Sequence, residues 1–185
     1  MNGTGVKKEL SLFGDIRVMC FAAMLVALSI AIAAFCKVYL SFGAIRVTFE
    51  NLPILLSGVL FGPLVGAATG VTADIISCII AANPISPIIT VGAAMVGAVS
   101  GTFSHYIFKK YSTTRVFVST LAAHVLGSML IKSAGLMIYY NFPFETIIWR
   151  VPLYLFIWAV ESSLIAVLLK NPIILRVADI RRQTK

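Results

Sequence analysis

The feature that most limits what this chain can fold into is a succession of apolar runs, most near twenty residues long, separated by short polar links. A helix needs roughly 20 mainly apolar residues to cross a hydrocarbon core of about 30 Å. The first run, from Ile16 to about Phe35, follows a polar start containing Lys7, Lys8 and Glu9. It exceeds the roughly 7 to 15 apolar residues of a signal peptide, and the bulky Phe35 does not suit a cleavage site. Composition agrees. Hydrophobic residues make up 59% of the chain and charged ones 12%, about half the ~25% charged share of soluble domains. A soluble enzyme, a disordered chain and a nucleic-acid-binding domain are thereby excluded.

The remaining runs predict helices over about 49–61, 64–82, 88–108, 116–140 and 146–169, giving an all-α, polytopic bundle of six transmembrane helices in one domain, 1–185. Gly62-Pro63 splits one apolar stretch into a hairpin. The run before it covers only about 20 Å at ~1.5 Å per residue, too short to span. A mixed segment, 36–48, with Lys37, Gly43 and Arg46, reads as a long loop, and a short helix facing a long loop leaves a recess the loop can cover. Asn83-Pro84-Ile85-Ser86-Pro87 reads as a turn.

Lysine and arginine placement predicts that both termini are cytoplasmic and that 36–48 is extracellular. In that orientation Lys7, Lys8, Arg17, Lys109, Lys110, Arg115, Lys170, Arg176, Arg181, Arg182 and Lys185 face the cytoplasm. Only Lys37, Arg46, Lys132 and Arg150 remain of the 15 basic residues. The net charge of +8 is thus a topology signal and needs no polyanion.

Ionisable groups inside a bilayer are costly and point to function. Asp74 lies midway along the third helix and Lys132 about two turns from the end of the fifth. Glu145 and Arg150 open the sixth, Glu161 lies deeper in it, and Arg46 and Glu50 flank the short second helix. His124, Ser128, Lys132, Gly135 and Tyr139 recur at steps of three and four on one face. Arg150, Tyr154 and Glu161 share a face of the sixth helix, and Glu145 and Trp149 an adjacent one. Interhelical ion pairing, for example Asp74 with Lys132, is the plain alternative for any one of them; for the outer cluster as a whole a ligand site is the better account. Glu161, nearer the cytoplasmic half, suits a structural or partner-contact role.

Two further observations narrow the function. Ala23, Ala27 and Ala31 recur every four residues, a small-residue stripe that permits close helix approach, whereas Gly58, Gly62, Gly66 and Gly70 suit internal packing. There is no P-loop, HExxH, GxSxG or GxGxxG, and three scattered cysteines and two histidines suggest no metal centre. No cofactor is expected, and uphill transport would draw its energy from a partner or an ion gradient.

The run Phe49-Glu50-Asn51-Leu52-Pro53-Ile54, then Gly58, Phe61-Gly62-Pro63, Gly66, Gly70 and Asp74, resembles the second and third helices of an S component. S components are the substrate-binding subunits of energy-coupling factor vitamin transporters. Asn83-Pro84-Ile85 through Gly92, Gly97 and Gly101 continues the likeness, which covers roughly Arg17 to Lys170 and is greatest to the folate-specific members. One departure is the Asn-Pro-Ile-Ser-Pro turn, where many folate-type relatives are rich in glycine and aromatics.

The resemblance implies a membrane subunit that binds a folate outside, docks on a transmembrane coupling subunit carrying two ATPases, and releases it inside. It gives Ala23, Ala27 and Ala31 the docking role. A pterin edge suits the acceptors Glu50, Asp74 and Glu145, and the glutamate tail suits Arg46, Lys132 and Arg150. Phe49, Trp149 and Tyr154 offer stacking faces, and Asn83 in the turn completes the candidate set. The rivals are an S component for another vitamin, a structural membrane scaffold, which leaves the charges unexplained, and an intramembrane enzyme, for which no nucleophile–base pair is visible.

Overall fold

A computed structural model describes residues 10–42, 45–107, 113–141, 143–171 and 174. The fold is all-helical apart from one small hairpin. A short 3-10 turn, Leu12–Gly14, tucks Leu12 into the core ahead of α1 (Ile16–Tyr39). Asp15 caps α1 by accepting from the Arg17 N–H at 2.9 Å, a partner for one of the unpaired donors of a helix start. The helix runs past Phe35 because Lys37 does not stop it: a cation in the last turn favours the negative end of the helix dipole. The expected loop is therefore shorter and contains two short strands. Ser41–Phe42 (β1) pairs antiparallel with Ile45–Arg46 (β2), Ser41 opposite Arg46.

Next comes α2 (Asn51–Phe61), in which every residue is buried. A helix apolar on all sides has no face for water or lipid and becomes the centre of the bundle. Gly62 ends it with φ of 103°, a conformation that glycine adopts without penalty, and Pro63 then opens α3 (Pro63–Ile80) at a position suited to its fixed φ. After the turn, α4 starts at Pro87 (Pro87–Thr102) and continues as a π-helical segment, Phe103–Ile107.

One long rod, α5, comprises Thr113–Ala123, a π-helical stretch His124–Lys132, and Ser133–Tyr140. Asn141, left-handed at φ 49°, closes it. The last helix, α6 (Phe144–Leu168), contains Pro152.

Among the described residues five helices are long and apolar enough to cross a membrane, and α2 is shorter. Between 28 and 44% of each spanning window is buried, so apolar faces look outward, as a multi-pass membrane protein requires. Glycines set the closest contacts. A Cβ on Gly97 of α4 would sit 2.0 Å from the Gly66 carbonyl oxygen of α3, and one on Gly70 would sit 2.2 Å from the Ala93 oxygen. Only glycine permits that approach.

The core gathers Leu55, Leu60, Phe61, Val65 and Val96 between these helices. Arg115, one of the basic residues expected to face the cytoplasm, lies in the first turns of α5, 4% exposed, and donates to the Ser104 hydroxyl at 3.0 Å. Lys7, Lys8, Lys109, Lys110, Arg176, Arg181, Arg182 and Lys185 lie outside the described residues.

Candidate functional site

At the hairpin end of the bundle, where α1, α3 and α5 end and α2, α4 and α6 begin, the helices leave a recess. Ser29, Glu50, Ile54, Ala73, Asp74, Ser77, Ala93 and Lys132 line it. Because α2 is only three turns long, its start sits below the neighbouring helix ends, and Glu50 arrives inside the bundle instead of above it. The Ser29 hydroxyl of α1 donates to the Glu50 carbonyl at 2.7 Å and fixes that entry. The cavity has a volume of about 30 Å³, far below the roughly 300–1,000 Å³ of ordinary ligand sites.

Lys132 comes from the π-helical stretch of α5. A π-helix winds more residues into each turn than an α-helix, so positions four apart stay close to one line. His124, Ser128 and Lys132 are accordingly all buried. The Lys132 ammonium donates to Asn51 Oδ1 at 3.0 Å and lies 3.6 Å from Glu50 Oε1. Asn51 Nδ2 in turn donates to Ser128 Oγ at 3.4 Å. The second carboxylate, Asp74 of α3, accepts from Thr90 Oγ1 of α4 at 2.7 Å. The alternative pairing of Asp74 with Lys132 is absent among the described residues: the Thr90 hydroxyl serves Asp74, while Lys132 is served by the Asn51 amide and pairs with Glu50.

The site is acceptor-rich. Two carboxylates, one ammonium and the hydroxyls of Ser29 and Ser77 surround a space walled by Ile54, Ala73 and Ala93. Such a wall suits a flat apolar body with an N–H-bearing edge. Among the described residues no group of three metal-binding side chains occurs.

The candidate set divides. Glu50, Asp74 and Lys132 meet at the recess. Phe49, half-buried, directly precedes Glu50, while Asn83 is exposed in the turn after α3. Arg150 and Tyr154 form their own pair on α6, the guanidinium donating to the phenol oxygen at 2.8 Å and lying 5.2 Å from the ring centre. The side chains of Arg46, Glu145 and Trp149 lie outside the described residues; Arg46 is placed only as part of β2, and Glu145 and Trp149 only as part of α6.

Sequence reasoning missed Ser29, Thr90 and the role of Asn51. A lone hydroxyl midway along apolar α1 and a lone amide at the start of an apolar helix were the available signals. Glu161, read as structural or partner-facing, is 0% exposed and bonded to His124 Nε2 at 2.7 Å, so it faces no partner. Ala23, Ala27 and Ala31 are all exposed on α1, so the stripe is not used for packing inside the chain. The glycines of α2 and α3 do pack internally.

A family model, described as ECF transporter, substrate-specific component, matches residues 17–178. A curated relative, "Folate transporter FolT" of Clostridium novyi (strain NT), is 27% identical over 124 residues, 66% of this chain and 70% of its own. Among solved structures, "Crystal structure of FolT bound with folic acid" superposes with a TM-score of 0.68 at 20% identity, covering 83% of this chain and 93% of the other. The fold is therefore shared with a solved membrane transporter component. A match over most of the chain, together with this fold, means that the protein belongs to the substrate-specific components of ECF transporters and is a transport protein, not an enzyme.

Proposed function

We propose that this chain is the folate-binding subunit of a prokaryotic energy-coupling factor importer. It sits in the cell membrane with both termini in the cytoplasm and the hairpin end outside. The observation that carries the reading is the recess at that end, where Glu50 and Asp74 face an apolar-walled space beside Lys132. The likeness to a curated folate transporter and to a folic-acid-bound structure supports the choice of vitamin.

A pterin ring presents an amino group and a ring N–H, which a carboxylate accepts, and carbonyl and ring-nitrogen acceptors, which an ammonium serves. The recess widens to admit the bicyclic ring, and the glutamate tail stays toward the mouth, under the hairpin that carries Arg46. Glu145, Trp149, Arg150, Tyr154, Phe49 and Asn83 then belong to the surroundings of the tail and the entrance. Bound vitamin is delivered through two ATPases and a transmembrane coupling subunit, and the coupling subunit docks on the exposed Ala23, Ala27 and Ala31 face.

The test is a calorimetric titration of folic acid and of a tail-less pterin against two variants. Asp74→Asn weakens both ligands about tenfold or more, the effect of unpairing a buried polar group. Arg46→Ala weakens folic acid more than the pterin. Tight binding of a vitamin with no pterin-like edge, together with no binding of folic acid, contradicts the proposal. Ala27→Trp, which fills the exposed stripe, leaves binding intact and abolishes transport in vesicles holding the complete complex; loss of binding would return the stripe to a packing role.

A further inference from the structure

We infer that Thr90 is a positioning residue for the substrate: its hydroxyl ties one oxygen of the Asp74 carboxylate to α4, leaves the other for the recess and keeps Asp74 from closing on Lys132. The inference deepens the folate reading and rests on it. Asp74 lines the recess, and among the described residues only its Oδ2 is hydrogen-bonded, to Thr90 Oγ1 at 2.7 Å. Oδ1 is the oxygen left for a ligand. Oδ2 can accept more than one hydrogen bond, so an edge with two adjacent donors still meets both oxygens.

Helix packing brings the two side chains together. Gly70 lies one turn before Asp74 on α3, and a Cβ there would collide with the Ala93 carbonyl of α4. Thr90 lies one turn before Ala93. Backbones that touch at Gly70 and Ala93 bring two short side chains, an aspartate and a threonine, into hydrogen-bond reach one turn away. Thr90 Oγ1 also lies 3.1 Å from the Ser86 carbonyl oxygen, which receives the Thr90 N–H at 3.0 Å. The hydroxyl thus has one proton and two acceptors in range. The carboxylate is the nearer and is charged, and a charged acceptor makes the stronger bond. The proton goes to Asp74, while the Ser86 carbonyl keeps its backbone donor.

Charge explains why a tether is needed. Lys132 lines the same recess, where it donates to Asn51 Oδ1 at 3.0 Å and lies 3.6 Å from Glu50 Oε1. An ammonium carries three donors, so an untethered Asp74 turns toward Lys132 and joins Glu50 in an ion-paired cluster. A ligand edge then has to break that contact before it binds. The Thr90 hydroxyl is neutral and fixes the carboxylate without cancelling its charge. An acceptor held in place beforehand loses less freedom on binding than a mobile one.

The test is a double-mutant cycle on affinity. Folic acid and a tail-less pterin are titrated into the unaltered protein, Thr90→Val, Thr90→Ser, Asp74→Ala and the Thr90→Val/Asp74→Ala double variant, and the thermal midpoint of each is recorded. Gly97→Ala, which strains the same α3–α4 contact away from Asp74, shows how far loosening alone moves affinity. Thr90→Val keeps the shape and loses the hydroxyl; it weakens both ligands about fivefold, more than Gly97→Ala does at an equal or larger fall in midpoint. Thr90→Ser stays within about twofold of the unaltered protein, because the hydroxyl is kept. In the Asp74→Ala background Thr90→Val costs less than about twofold, because no carboxylate remains to aim. A loss that Gly97→Ala reproduces means that Thr90 only ties α3 to α4 and overturns the inference; so does an equal loss in both backgrounds, or an unchanged affinity in Thr90→Val. Should Thr90→Val not fold, Thr90→Ala enters the same cycle with the same expected and contrary results. Failure of the unaltered protein to bind folic acid defeats the folate reading and this inference with it, and is distinguishable because it precedes any variant.

Discussion

His124 and Lys132 stand on the same π-helical stretch of α5, and both are buried, yet they serve opposite surroundings. Around Lys132, polar groups come from α1, α2, α3 and α4 and border an open recess. Around His124, among the described residues, the hydrogen bonds join α5 to α6. His124 pairs with Glu161 at 2.7 Å, both 0% exposed, and Thr120 shares a hydrogen bond with Ser162 at 2.7 Å. Trp158 Nε1 donates to the Phe117 carbonyl at 3.1 Å in the same layer. Polar groups sealed in an apolar interior strengthen one another and hold helices together. Those beside open space remain able to exchange partners with a ligand. Burial alone does not separate a clamp from a site; the adjacent space and the number of contributing helices do.

The strongest way to break this comparison is to remove one partner of the sealed pair. Glu161→Leu leaves His124 unpartnered and is expected to lower stability by about 3 kcal/mol, read as a fall in the thermal midpoint in detergent, while the folded fraction binds folic acid within about twofold of the unaltered protein. A large affinity loss at unchanged stability would mean that the sealed layer is part of the site. Gly97→Ala comes next. It forces a Cβ against the Gly66 backbone and should cost about 2 kcal/mol of stability by overpacking, checked by the same midpoint.

The remaining two changes are smaller and sharpen the contrast. Thr120→Val, which deletes the hydroxyl bonded to Ser162, lowers stability by about 1 kcal/mol and leaves affinity alone. Thr90→Val removes the hydrogen bond that holds Asp74. It is expected to shift folic acid affinity by a few-fold, with a midpoint change under that of Thr120→Val; a reversed order would contradict the division between clamp and site.

The helices were legible because their apolar runs are long and their breaks are chemical. Gly62-Pro63 ends a helix by backbone geometry that any reading of the residues can find. The site was half legible: Glu50, Asp74 and Lys132 stand out as charges in apolar helices. Their partners did not stand out, because Ser29, Thr90 and Asn51 are small neutral groups whose importance comes from which helices meet. The π-helical winding of α5 is set by tertiary packing, not by a motif, so the alignment of His124, Ser128 and Lys132 could be seen only as an approximate face. The partner of Arg115 was hidden for a related reason: the Ser104 that receives its side chain is eleven positions away.

The central claim is that the pterin end of a folate occupies the recess between Glu50, Asp74 and Lys132. An experimental structure of the chain bound to folic acid tests it most directly. The account predicts ring density within hydrogen-bond distance of Asp74, with Lys132 still on Asn51 and the glutamate tail beneath the Ser41–Arg46 hairpin. Ring density seated beside Arg150 and Tyr154 on α6, with the recess holding only solvent, would contradict it.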